Sequence, residues 1–127
     1  MPHNHYKGKL THREIIKLVD TGVYIVDIYK GTVSSGKTEK ELFTFPGNTE
    51  GYAWVRVYNA PKMRSIAVSN LVWIKGARAT IPKNFEIHHR DLDITNNAYY
   101  NLFALHKDDH AKLHGRNLIE EFEEVPF

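Results

Sequence analysis

The sequence predicts an α+β protein in which small antiparallel sheets and hairpins alternate with short helices and the chain closes on a strand, loop, strand, helix unit. Three observations lead there. Residues 52–58 alternate polar and apolar side chains with the two-residue period of a half-buried strand, and residues 11–22 carry a helical apolar face behind a capping signal. Residues 85–115 hold five of the eight histidines (His88, His89, His106, His110 and His114) in a segment that passes from strand-like to helix-like patterning.

The composition bounds the rest. A chain of 127 residues, 42% hydrophobic, suits a single compact domain with a modest core. With no cysteine, disulfides, thiolate metal sites and cysteine nucleophiles are all excluded, so a metal ion would have to be held by His, Asp, Glu or Asn. No apolar run approaches the roughly 20 residues of a membrane span, and the start MPHNHYKGK lacks a signal-peptide apolar region. A soluble, unprocessed protein in a reducing cytoplasm is expected.

Charge is unevenly placed. Residues 117–127 carry four glutamates and no base; the remaining 11 acids face 17 Lys+Arg, so residues 1–116 have a net charge of +6. A basic body suits a polyanion such as nucleic acid, although ordinary domains reach similar values. The acidic tail reads as a solvated end or as a cover over the basic face.

In chain order, residues 1–10 read as a flexible polar start, with His3 and His5 as surface residues. Thr11 and Glu14 form a T-x-x-E capping box, Ile15, Ile16, Leu18 and Val19 supply an apolar face, and Gly22 follows the end. Val23–Tyr29 is rich in β-branched and aromatic residues. The polar run Ser34–Glu41 reads as the loop of a hairpin returning through Leu42–Phe45. Gly31, Gly36, Lys37 and Thr38 match the phosphate-loop spacing G-x-x-x-x-G-K-S/T, but no apolar helix follows Thr38 to present its N-terminus, so the segment is read as a turn.

In the alternating strand, Tyr52, Trp54, Arg56 and Tyr58 share one face and Ala53, Val55 and Val57 the other, with Arg64–Val68 as partner. An aromatic, basic face of this kind can stack on bases and meet phosphates, or can simply cover a small core. Ser69 then caps a short helix through Leu71, Val72 and Ile74 that ends near Gly76. Arg78 and Lys83 flank the approach to the histidine segment, where phosphate contacts are expected.

In that segment Phe85–Arg90 reads as a strand, residues 91–97 as a turn-rich loop, Leu102–Leu105 as the return strand, and Asp108–His114 as a two-turn helix stopped by Gly115. His110 and His114, four residues apart, project from one helix face and can converge on one cation. His88 and His89 are strand neighbours and point to opposite sides or splay at a bend, so at most one comfortably joins that cation and the other is available as a base. His106 is read as a turn or cap residue, and Asp91, Asn96 and Asn97 as loop builders through local hydrogen bonds. Arg90 and Lys112 are further candidates for phosphate contact.

These residues resemble the HNH, or ββα-metal, nuclease motif of phage-encoded endonucleases and nuclease bacteriocins: a His-His pair on the first strand, an Asn before Leu on the second, and H-x-x-x-H on the helix. The upstream stretches GTVSSGKTEKELF, GYAWVRVYN and VSNLVWI ahead of Ile81-Pro82 are loosely similar to the leading region of phage HNH endonucleases. The resemblance implies a DNA endonuclease using one divalent ion (Mg, Mn, Ni or Zn), with His88, His110 and His114 as ligands and His89 as the general base. It further implies that Asn101 fixes the loop and orients His89, that Glu86 supports the site or positions substrate, and that the products carry 5′-phosphate and 3′-hydroxyl ends.

The implied organisation is a flexible N-terminus (1–10), a helix and hairpin scaffold that grips DNA (11–80), the HNH unit (81–116) and an acidic tail (117–127). DNA is the expected partner, contacted through Arg56, Arg78, Lys83, Arg90 and Lys112, with no membrane, no small-molecule cofactor, and a monomer or homodimer in the cytoplasm of a host cell. Two other classes stay open: a non-catalytic nucleic-acid-binding module stapled by a His-bound metal, and a hydrolase of small phosphoesters. An adjacent second histidine at His89 counts against the first, and the basic, aromatic sheet against the second.

Overall fold

A computed structural model of the chain describes residues 11–47, 51–59 and 62–109. It is an α+β architecture of three small antiparallel sheets gathered around one apolar helix. Helix α1 (His12–Asp20) starts as its sequence predicts: the Thr11 hydroxyl accepts from the Glu14 backbone N–H at 3.1 Å, while the Glu14 carboxylate accepts from the Thr11 N–H at 2.8 Å. Ile15, Leu18 and Val19 are buried along its inner face.

Strands β1 (Tyr24–Asp27) and β2 (Thr32–Ser35) form the first hairpin. The expected Val23–Tyr29 strand stops short because Asp27 turns the chain, its Oδ1 accepting from the Tyr29 and Lys30 N–H groups. The return is therefore β2 rather than Leu42–Phe45. A second turn spans Ser35–Lys40, where the Ser35 hydroxyl accepts from the Lys37 and Thr38 N–H groups, and beyond it a single bridge joins Ser34 to Glu41.

Strands β3 (Phe45–Pro46), β4 (Ala53–Asn59) and β5 (Lys62–Ala67) make the second sheet. Its alternation follows the sequence: Val55 and Val57 are buried, Arg56 and Tyr58 are exposed, and Trp54 is half-buried. The Tyr24 hydroxyl accepts from the Tyr58 N–H at 2.7 Å and ties the two sheets together.

Helix α2 (Val68–Ala77) follows β5 without a break and packs on α1 and on strands of all three sheets. Val68, Leu71, Val72 and Ile74 are buried, and a helix apolar on nearly every side is one that other elements surround. Its start differs from the expected one. Ser69 does not cap it: the cap position is Ala67, which has no side-chain cap bond, because Val68 is already drawn into the core and Ser69 is buried within the first turn. It does end near Gly76, at Ala77; the left-handed stop is Arg78 (φ 56°), whose N–H bonds to the Ile74 carbonyl, and Gly76 itself leaves room for the Tyr99 ring, which a Cβ there would strike.

Strands β6 (Phe85–His89) and β7 (Leu102–His106) form the third sheet, joined by the 91–98 loop and a 3₁₀ turn (Tyr99–Asn101). Residues 107–109 are helical, with the His106 ring nitrogen accepting from the Asp108 N–H at 3.1 Å. The expected helix continuation, with His110, Lys112 and His114, lies outside the described residues, as do residues 1–10 and the acidic tail. Among the described residues no helix is long and apolar enough to cross a membrane.

Candidate functional site

The β6–β7 register sets His88 opposite Phe103 and His89 opposite Leu102, so the adjacent imidazoles leave the strand on opposite sides. Both are buried, His88 at 8% exposure and His89 at 2%. The His88 ring lies 5.4 Å from Phe103, and the His89 ring 5.6 Å from Tyr52.

Their hydrogen bonds make them chemically unequal. His88 donates from Nδ1 to the His89 carbonyl at 3.3 Å, which puts its proton on Nδ1 and its lone pair on Nε2. His89 is bonded through the other nitrogen, Nε2, to the Asn97 side-chain oxygen at 2.8 Å, and its Nδ1 is buried without a hydrogen-bond partner among the described residues.

Asn101 holds the loop between the strands. Its Oδ1 accepts from the Asp91 N–H at 3.1 Å, and its amide nitrogen donates to Asp91 Oδ1 and to the Asn96 carbonyl, both at 2.9 Å. Its backbone carbonyl also accepts from the Arg90 N–H at 2.7 Å. The side chain hydrogen-bonded to His89 is Asn97, four residues earlier, because the loop path lays position 97 beside the β6 end and turns Asn101 toward Asp91.

Asp91 and Asp93 stiffen this loop. Burial pushes the Asp91 carboxyl up, but hydrogen bonds from the Asn96 side chain, the Asp93 backbone and the Asn101 side chain together outweigh it and hold the group below the usual aspartate range. Asp93 is held low by Thr95, whose hydroxyl and backbone N–H both donate to it. The folded chain thus binds fewer protons than the unfolded one near the ordinary aspartate pKa. The stabilisation is present above that value and is lost as pH falls through the lowered native one. The melting-temperature gap between wild type and Asp93→Ala is accordingly widest near neutrality and narrows below about pH 4, as a calorimetric pH series would show.

Glu86 is half-buried on β6 opposite Leu105. Arg78, Lys83 and Arg90 are exposed, the Arg90 guanidinium standing 5.8 Å from the Phe103 ring centre. Arg56 is also exposed and lies over Phe45 at 5.3 Å, in a hollow shared with Leu42 and the largely exposed Phe43. Among the described residues no three His, Asp or Glu side chains converge as a metal site. Of the expected ligands His88 is described, and its hydrogen bond to a backbone carbonyl is the support that metal-binding imidazoles commonly have.

Sequence reasoning missed Tyr52 and Asn97 as neighbours of His89. Asn97 had a signal, the Asn96-Asn97 pair in a turn-rich loop, but nothing in the sequence says which amide faces inward.

No family model and no curated protein matches the chain. Among solved structures, one of DNA binding and cleavage by the HNH homing endonuclease I-HmuI matches with a TM-score of 0.60 at 21% identity, over 82% of this chain and 55% of that one. The likeness is one of fold, and the chain spans about half the length of the protein it matches.

Proposed function

We propose that the chain is a metal-dependent HNH endonuclease that hydrolyses phosphodiester bonds of DNA to 5′-phosphate and 3′-hydroxyl ends. The observation that carries this is the state of His89: a buried imidazole fixed at Nε2 whose Nδ1 has no hydrogen-bond partner among the described residues, next in sequence to a second imidazole of the opposite hydrogen-bonding pattern. A structural histidine has no need of an unpartnered buried nitrogen, whereas a general base needs one lone pair and a partner that holds the other side of the ring. The shared fold with an HNH homing endonuclease supports the same reading.

In this mechanism His89 takes a proton from water, the water oxygen attacks phosphorus, and the 3′ oxygen leaves as the P–O bond breaks and takes up a proton from solvent to become the 3′-hydroxyl. His88, with His110 and His114, would hold one divalent ion. When bound, the ion supplies positive charge opposite the phosphate and the leaving oxygen. Asn101 and the two aspartates keep the loop rigid around the base, and Glu86 supports the strand or positions substrate. Arg56, Arg78, Lys83, Arg90 and Lys112 would neutralise backbone phosphates, which makes binding salt-dependent. The Phe43 and Phe45 surface beside Arg56 offers rings to bases.

Supercoiled plasmid incubated with Mg²⁺, Mn²⁺, Ni²⁺ or Zn²⁺, with and without chelator, tests the function. One such unit per chain cuts one strand, so open circles are expected to accumulate before linear product, and chelation should stop the reaction. Plasmid that stays intact with every metal yet is retarded in a gel would point to the non-catalytic binding module instead.

A further inference from the structure

We propose that Asn97 is a positioning residue that fixes the His89 imidazole with its proton on Nε2, and that the β1–β2 turn holds Asn97 in place. The proposal rests on His89 being the general base.

The chemistry follows from the atoms involved. Asn97 Oδ1 carries no hydrogen, so the 2.8 Å contact requires Nε2 to be the donor. A neutral imidazole has one N–H, which leaves the lone pair on Nδ1, the buried nitrogen without a partner among the described residues. Without Asn97 the proton can sit on either nitrogen and the ring can turn, and some of the population would then present N–H where a lone pair is needed. His88 is set the other way by the His89 carbonyl, so two neighbouring imidazoles are held in opposite tautomers by two different acceptors.

Asn97 is backed by a distant part of the chain. Gly31 (φ +73°) lies against the Asn97 and Ala98 backbone so closely that a Cβ there would collide with it. Beside it the Tyr99 N–H donates to the Ile28 carbonyl at 2.8 Å. Asp27 holds that turn through its side chain and through its carbonyl, which accepts from the Gly31 N–H at 2.7 Å. The first hairpin therefore sets where the Asn97 amide stands, and Asn101 fixes the other end of the same loop.

The test reads the proton directly. Full-length chain labelled with ¹⁵N-histidine is examined by long-range ¹H–¹⁵N correlation, alongside plasmid-nicking kinetics. Wild-type His89 should carry its proton on Nε2. In Asn97→Ala that preference should be lost, and kcat should fall about 10- to 100-fold with KM nearly unchanged, the usual size of effect for a residue that orients a functional imidazole. Asn97→Asp retains an acceptor oxygen and should restore both the Nε2 proton and most of kcat. A wild-type His89 protonated on Nδ1, or an Asn97→Ala spectrum with the wild-type tautomer, would overturn the proposal, and the wild-type measurement decides even if the alanine variant does not fold. A chain that cuts no DNA but loses the tautomer preference in Asn97→Ala would keep the Asn97–His89 coupling and overturn the nuclease reading instead.

Discussion

His89→Ala is expected to lower plasmid cleavage by about 10²- to 10⁴-fold, the range for loss of a positioned general base, while leaving metal affinity at the wild-type value. His88→Ala should do the reverse in its first effect, weakening metal binding and slowing cleavage in proportion at low metal concentration. The difference follows from strand geometry. Neighbours on β6 point to opposite sides, and the two rings are held through opposite nitrogens. Calorimetric metal titration of both variants beside nicking rates checks the division, and the same binding defect in both would undo it. Neither substitution should unfold the protein, because the core that supports β6 lies mainly in α2 and the strands against it.

Leu71→Ala is expected to destabilise the chain by about 3 kcal/mol, within the 2–5 kcal/mol seen for large-to-small changes at fully buried sites. Leu71 is 1% exposed in a helix that packs on all three sheets, so the cavity it leaves cannot be closed by moving one neighbour. A melting temperature lower by roughly 10 °C would correspond to that loss in a domain of this size. Thermal unfolding followed by calorimetry measures it, and a shift of less than about 3 °C would mean that α2 is not the organising centre of the core. Because α2 also packs on β6, β7 and the 3₁₀ turn, cleavage should become temperature-sensitive in the same variant.

Much of the fold was legible because its signals are local. The Thr11–Glu14 box and the alternation through Val55 and Val57 each depend on spacing within one element. Boundaries set by distant packing were not legible. Ser69 looks like a helix cap by type but is buried within the first turn of α2, and the early end of β1 follows from the Asp27 turn.

By itself the sequence determined the α+β class, the gathering of imidazoles on one segment and the inequality of His88 and His89, since a two-residue strand period separates neighbours whatever surrounds them. Only the tertiary structure decided which nitrogen of each ring is held and by what. Asn97 reaches His89 across eight positions of loop, and its place depends on a turn at Gly31, some 66 residues away in sequence. Hydrogen bonds of that kind are fixed by where the backbone passes in three dimensions, and residue type and spacing do not encode that path.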